Sequence, residues 1–288
     1  MPNDAIQLAF VTYSGEPEIA VDDLPLSREL ERRGVVVSSC PWDLAEMRSG
    51  SARNVLIRSA WNYDHAPEAF LQWLIDLEKR GARVINSSGI VRWNIHKNYL
   101  FEARDRGATL PQTRKFVPRN SDPRTLAAEF SSHDRVVLKP CVSLAAHHTY
   151  LIRTGEIVSA VCDLPNPERE YLLQEYMPEI VAGELSFVFF AAEFSHCVRK
   201  TPKQGDFRVQ GDFGATRNIH VPTPEQIQEA SKLLSLAPEV PAYARVDVVM
   251  RGSTMVLMEI ELIDPMLFLG WEPQVAARLA DVLLRQFL

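Results

Sequence analysis

Hydrophobic and polar positions along the chain change their period several times, and each change marks an element. Ala5 to Tyr13 is an apolar run of strand length, and Leu24 to Gly34 has helical spacing closed by a glycine. Val35 to Trp42 and Asn54 to Trp61 return to strand texture. His65 to Gly81 sets Phe70, Leu71, Leu74 and Leu77 on one side of a helix, and Arg83 to Asn86 is a short strand. This β-α-β alternation predicts a small parallel α/β unit over roughly the first ninety residues. No GxGxxG follows its first strand, so a dinucleotide fold is not supported.

Ser88 to Gly107 reads as one helix, after which the texture becomes α+β. Arg114 to Val117, Arg135 to Cys141 and His148 to Arg153 are strand-like, around a helix near Thr125 to Phe130. Tyr171 to Met177 is a strand stopped by Pro178, and Gly183 to Val198 predicts a long strand pair or bent hairpin. Thr223 is a natural N-cap, with Pro224 at the first helical position and Gln226 placed to close a capping box. The chain finishes in an amphipathic helix, Pro273 to Phe287.

Just before that helix lie two strands, Ala244 to Met250 and Met255 to Leu262, that are apolar apart from Arg245, Asp247, Glu259 and Glu261. A three-residue loop at Gly252-Ser253-Thr254 pairs Met250 with Val256, Val248 with Met258 and Val246 with Ile260. One face is then wholly apolar, and on the other Asp247 opposes Glu259 while Arg245 opposes Glu261. Three carboxylates grouped in this way carry a desolvation and repulsion cost that a divalent cation relieves, and hard oxygen ligands suit magnesium. A solvated hairpin face with an Arg-Glu pair is the alternative.

Composition narrows the field. The chain has 288 residues, 46% hydrophobic and 24% charged, with a formal net charge of -6, which argues for an ordinary globular protein and against a nucleic-acid partner. Cys40, Cys141, Cys162 and Cys197 have no CxxC spacing, so reduced thiols are expected. The opening Met1-Pro2-Asn3-Asp4 lacks a basic n-region and no apolar run is of membrane-spanning length, so a cytoplasmic location with no membrane partner is expected.

Further residues gain meaning from their order. Lys139 ends an apolar strand immediately before Pro140, where an ammonium can hold a phosphate or simply snorkel from an edge. Leu172 to Pro178 turns from apolar to polar and breaks, a segment suited to bordering a flat ligand or merely a strand end. Arg199 to Arg208 is basic and turn-rich, fit to clamp an anion or to be solvated. In the first unit, Tyr13 to Pro17 and Arg58 to Tyr63 follow strands, where α/β folds bind ligands; loop packing by Trp61 and Tyr63 is the alternative.

A strand lysine, then QEYM, Gly183-Glu184-Leu185-Ser186, a basic segment, RVDVV and MEIELIDP, in that order over Asn94 to Leu269, resembles the ATP-grasp ligases. That resemblance implies an N-terminal parallel α/β domain over 1–93 and two α+β lobes over 94–177 and 178–288 that sandwich ATP. It implies Lys97 and Lys139 at the phosphates, Glu175, Tyr176 and Met177 at adenine and Glu184 at ribose. One or two magnesium ions, for which manganese could substitute, would sit on Asp247, Glu259 and Glu261, with Arg245, Arg208 and Lys200 as the catalytic cations. Ser14, Glu16, Arg58, Trp61 and Asn62 would meet a small amino-acid-like substrate.

The loop Cys141 to His148 departs from the family in having no glycine, and Glu261 stands where many relatives have Asn. VTYSGEPEIAVDDLPL, IRSAWNYD and MEIELIDP look like the cycloserine-forming members, which implies ring closure of O-ureido-D-serine to D-cycloserine. An intermolecular ligase resembling glutathione synthetase or a glutamate-adding enzyme, and a non-catalytic nucleotide-binding regulator, are the competing readings. Oligomeric state is not legible.

Overall fold

The computed structural model describes residues 5–44, 53–209 and 211–288; the opening Met1 to Asp4 lies outside them. Strands β1 (Gln7–Thr12), β2 (Val36–Pro41), β3 (Asn54–Ile57) and β4 (Arg83–Ile85) form a parallel sheet in the order β2-β1-β3-β4. Helices α1 (Leu24–Arg32) and α2 (Pro67–Lys79) make the crossovers that the alternating pattern predicts. β3 stops at Ile57, short of the expected Trp61, because Ser59 N–H turns to Val11 O at 3.0 Å and the chain leaves the sheet.

The expected helix Ser88 to Gly107 is two helices, α3 (Ser88–Asn94) and α4 (Tyr99–Asp105). At the break Lys97 N–H donates to Cys141 O at 2.9 Å, outside any helical ladder. A tertiary hydrogen bond has overridden a segment with adequate helix propensity.

An antiparallel sheet follows, made of β5 (Thr113–Phe116), β6 (Arg135–Pro140), β7 (Tyr150–Arg153) and β8 (Tyr171–Glu175) in the order β5-β8-β6-β7. Helices α5 (Pro123–Glu129) and α6 (Ile157–Cys162) cover it, burying Phe130, Leu138, Ile157, Val161 and Leu173 together. The six residues of α6 are too few to show a helical period in the sequence.

The third sheet is the largest. β9 (Glu184–Phe190), β10 (Glu193–Thr201), β11 (Thr216–His220), β12 (Tyr243–Arg251) and β13 (Thr254–Glu261) lie in the order β11-β10-β9-β12-β13. β11 is half exposed and polar, which hid it from a hydrophobic pattern. Its neighbours alternate cleanly. Leu185, Phe187, Phe189, Ala244 and Val246 bury one face against Leu233 and Leu234 of α7 (Pro224–Leu234) and against Tyr99 and Leu100. Each such side chain contributes ~1.5–3 kcal/mol by leaving water.

The opposite face is divided. Val188, Phe190, Val198 and Tyr243 join Leu8, Phe10, Leu26 and Leu30, together with Val275 and Leu279 of α8 (Pro273–Val282). The last helix therefore packs on the first sheet, and the two ends of the chain share a core. Further along this face Arg245 and Asp247 interrupt the apolar positions, and beyond them Val249 and Val256 are buried with Met177 and Ile180.

The hairpin between β12 and β13 differs from expectation in one detail. Its turn has two residues, Gly252 and Ser253, with Gly252 at φ +63°, so Met250 pairs with Met255 and Val248 with Leu257. A bulge at Met258 absorbs the odd residue, and beyond it Asp247 opposes Glu259 and Arg245 opposes Glu261 as the polar pattern requires. Two buried amides hold the strand ends: Asn86 Nδ2 donates to Tyr243 O (3.0 Å) and Leu262 O (2.7 Å), and Asn94 Nδ2 donates to Ile260 O (2.7 Å).

Candidate active site

Cross-strand pairing assembles the site. Lys200 of β10 opposes Glu184 of β9, Ser186 of β9 opposes Asp247 of β12, and Asp247 opposes Glu259 of β13. Side chains two apart on a strand share a face, so Arg245 and Glu261 join the same belt. It runs across four strands. Lys200 Nζ lies 2.5 Å from Glu184 Oε1 and 3.1 Å from Asp247 Oδ2. Arg245 Nη2 reaches Asp247 Oδ2 at 3.0 Å and also binds Glu261, and Ser186 Oγ donates to Asp247 Oδ1 at 2.6 Å. Gly183 introduces β9 at φ +105°, where a Cβ would meet Arg199 Cγ at 2.6 Å, so only glycine lets the chain enter the sheet here.

Two more lysines arrive from outside the sheet. Lys97, at the break between α3 and α4, puts Nζ 3.2 Å from Glu259 Oε1. Lys139 stands near the end of β6; desolvation, with Lys97 beside it, pushes its ammonium down to about 8 against the pull of Glu259 and Glu184. Asp247, which burial alone would raise, is held down to about 2 by Arg245 and Lys200. Glu261 is pushed up to about 8 by burial, the Arg245 charge being insufficient against Glu259 and Asp247. The arrangement sets four cationic side chains among four carboxylates.

Of the other expected site residues, some converge and some do not. Glu184 is buried against Lys200, so its carboxylate is already engaged. Glu175 accepts from Gln112 N–H (3.1 Å) and Arg251 Nη2 (2.7 Å), Tyr176 lies under the Arg135 guanidinium at 4.6 Å, and Met177 is buried with Val209 and Val249. These three form the crossing from the second sheet to the third. Arg208 is not brought to the carboxylates: it pairs with Asp206 at 2.9 Å and stacks on Phe213. The glycine-free loop after β6 places Ala145, Ala146 and His148 at φ +47°, +58° and +56°, a left-handed conformation that glycine adopts without strain and L side chains do not.

In the first unit the loops at the carboxyl ends of the strands meet around Asp43, which sequence reasoning missed. Its carboxylate accepts from Ser14 N–H (2.7 Å), Ser14 Oγ (2.6 Å) and Asn62 Nδ2 (2.8 Å). Asn62 Oδ1 in turn accepts from Trp42 Nε1 at 2.6 Å, while Glu16 and Trp61 are exposed. Arg58 is elsewhere. It is 2% exposed and donates to Asp23 Oδ1 and Pro265 O at 2.8 Å each, while its buried Nη1 has no partner. Ser186 also escaped notice, although its two-residue spacing from Glu184 put it on the polar face.

The donor set suits a hard divalent ion. Glu259 and Glu261 retain about a third of their side-chain exposure (32% and 28%), and Glu261 is short of positive charge. Among the described residues no three His, Cys, Asp or Glu side chains form a ready-made cage, because Asp247 faces Arg245 and Lys200 and Glu259 faces Lys97.

Buried acids with raised values fix the pH dependence of the ligand-free protein. Burial pushes Asp23 up to about 6 and Asp264 up to about 7, so the folded state binds protons that the unfolded chain has released. Stability from these groups is therefore largest below their unfolded values and falls as pH rises through 6 and 7. Glu261 acts in the same sense. His196, which burial pushes down to about 4, opposes them only below its ordinary value, and Lys139 opposes them mainly above pH 8. The thermal midpoint is expected to rise as pH is lowered from 8 to 6.5; calorimetry giving a flat or falling midpoint would contradict this.

A parallel α/β unit joined to two antiparallel lobes, with a belt of lysines and carboxylates on the inner sheet, is the ATP-grasp fold. Residues 8–86 match the family model described as the D-cycloserine synthetase DcsG N-terminal domain. Among solved structures the chain is similar to D-cycloserine synthetase DcsG, with a TM-score of 0.84 and 22% identity over 98% of this chain and 100% of that one. D-alanine–D-alanine ligase from Bacillus anthracis gives 0.71 and 11% over 97% and 96%. A RimK domain ATP-grasp protein from Sphaerobacter thermophilus gives 0.70 and 18% over 96% and 99%. No curated protein sequence matches. No helix among the described residues is long and apolar enough to cross a membrane.

Proposed function

We propose that the chain is an ATP-dependent carboxylate-amine ligase that forms ADP and phosphate, and that its reaction is the closure of O-ureido-D-serine to D-cycloserine. The observation that carries the ligase reading is the convergence of Lys97, Lys139, Lys200 and Arg245 on Asp247, Glu259 and Glu261. The match of residues 8–86 supports the substrate.

In this reading the substrate carboxylate attacks the γ-phosphorus of ATP and expels ADP, the oxyamine nitrogen of the same molecule displaces phosphate from the acyl phosphate, and water removes the carbamoyl group from that nitrogen as carbon dioxide and ammonia. The protein supplies position and charge rather than a nucleophile. Lys97, Lys139 and Lys200 neutralise phosphate oxygens, and the arrival of ATP restores a full charge to Lys139. Arg245, planar and already fixed by Asp247, presents its guanidinium to the phosphoryl group being transferred. Asp247, Glu259 and Glu261 would hold magnesium, which screens the charge between neighbouring phosphates when bound.

Incubation with magnesium, ATP and O-ureido-D-serine as sole substrate tests the proposal. ADP release with a cyclic product identified by mass is the expected result. ADP release that requires a second amine would favour an intermolecular ligase, and ATP binding without phosphate release over an amino-acid panel would favour a regulatory role.

A further inference from the structure

Lys139 and Lys200 stand on strands, but Lys97 does not, and its place has to be fixed by other means. It lies in the break between α3 and α4 and is 7% exposed, with Nζ 3.2 Å from Glu259 Oε1 and 3.3 Å from Ser143 Oγ. A lysine has a long stem with many rotamers, so its ammonium reaches one place reliably only where the backbone beneath it is held.

One carboxylate holds the residues on either side of it. Glu170, immediately before β8, lies 2.8 Å from His96 Nε2 through Oε2 and 2.8 Å from Lys115 Nζ of β5 through Oε1. Lys115 Nζ also donates to Asn98 Oδ1 at 3.0 Å, and Asn98 N–H donates to His96 Nδ1 at 3.2 Å, so the four residues close a ring. Because Nδ1 accepts, the imidazole proton sits on Nε2 and faces the carboxylate. Burial keeps the imidazole below its ordinary value, and the hydrogen bond from Lys115 keeps Glu170 below its own, so near neutral pH the ring joins a carboxylate, an ammonium and a neutral imidazole. The backbone repeats the link: Cys141 N–H donates to Glu170 O at 3.0 Å, and Lys97 N–H donates to Cys141 O at 2.9 Å.

Stability does not account for the ring. The side chains of Glu170, Lys115 and His96 keep 38%, 33% and 24% of their exposure, and pairs so exposed add little to folding. What the ring fixes is position: His96 and Asn98 are held against the second sheet, while Lys97 between them reaches Glu259 on the third. We propose that Glu170 is a positioning residue for Lys97, holding through His96, Lys115 and Asn98 the backbone from which the ammonium meets the phosphates of ATP. The part played by ATP rests on the ligase reading; the fixing of Lys97 does not.

Two measurements on the full chain test this. In the first, without ligand, the lysines are trace-labelled with acetic anhydride and the acetylation of each is read by mass spectrometry. Glu170→Ala is expected to raise the labelling rate of Lys97 by ~5-fold or more, with Lys139 and Lys200 within ~2-fold of wild type. In the second, a non-hydrolysable ATP analogue with magnesium is titrated calorimetrically. Glu170→Ala should weaken its binding by ~10-fold when Lys97 is present and by less than ~2-fold in a Lys97→Met background, because a group that acts through the lysine has nothing to act on once it is gone. A general loss of structure would weaken both backgrounds alike. Glu170→Gln, with one acceptor oxygen for two donors, should move both readouts in the same direction, and it decides if the alanine variant does not fold. Unchanged labelling of Lys97 overturns the assignment, as does an affinity for the analogue that is unchanged or falls equally in both backgrounds. Where Lys97→Met binds too weakly to titrate, the labelling decides. A wild type that binds no ATP analogue overturns the ligase reading, and the labelling then decides for or against Glu170 on its own.

Discussion

Glu259→Gln is expected to lower ATP turnover by ~100-fold or more while leaving the unfolding midpoint close to that of the wild type. Glu259 sits at the mouth of the belt, where Lys97 touches it at 3.2 Å and Lys139 is within range of its charge. The amide keeps the shape and a hydrogen-bond acceptor for Lys97, and the position is a third exposed, so little packing is lost. What disappears is a negative charge. Two lysines are then left with less to oppose them, and a polyphosphate should bind as well as before or better. A fall in kcat with the KM for ATP unchanged or lowered is thus the signature of a carboxylate that acts during phosphoryl transfer. Steady-state phosphate release provides the measurement; near-normal kcat would remove Glu259 from the metal-holding set.

How far this site was legible depended on whether its signals were local. The belt on the third sheet was, because strand alternation is local: Asp247, Glu259, Glu261 and Arg245 interrupt apolar runs at even spacing, and one register alone collects them. The turn was misjudged by a residue, and the bulge at Met258 restored the pairing of Asp247 with Glu259 and of Arg245 with Glu261. Lys97 had weak standing in the sequence, as a polar residue within a helix. It reaches the site because a hydrogen bond to Cys141, 44 positions away, breaks that helix at its position, and no local propensity encodes such a contact. Asp43 was hidden for a related reason. It lies in a loop and becomes meaningful only beside residues from other segments, Ser14 and Asn62. Arg208 pairs with a neighbouring acid, Asp206, a contact that the basic run did not announce.

Arg58 was expected at the substrate and instead ties the exit of β3 to the segment after β13, so the large effect of its loss should fall on stability. Arg58 and Asp23 both have side chains 2% exposed, with Nε 2.8 Å from Oδ1, and the guanidinium also lies 5.0 Å from the Tyr243 ring centroid. Arg58→Ala removes the cation, strips a donor from Pro265 O and leaves Asp23 buried alone. Breaking a buried pair in this way costs ~3–5 kcal/mol, most of it the penalty of the stranded charge. Urea unfolding is the appropriate measurement, and a loss under ~1 kcal/mol would contradict the argument. The stranded charge also fixes the pH dependence. Asp23 is already pushed up to about 6 by burial with Arg58 in place, and without it the carboxyl must rise further, so the variant's deficit should shrink as pH is lowered from 7.5 to 5. Replacing both partners separates charge from packing: Arg58→Met with Asp23→Leu removes the two desolvation penalties together and should recover most of the lost stability, because apolar side chains of similar size can fill a buried ion pair at little or no net cost. Recovery in the double variant, with the single variant rescued by acid, would identify Arg58 as the strut that holds the end of β3 against Asp23 and the segment after β13.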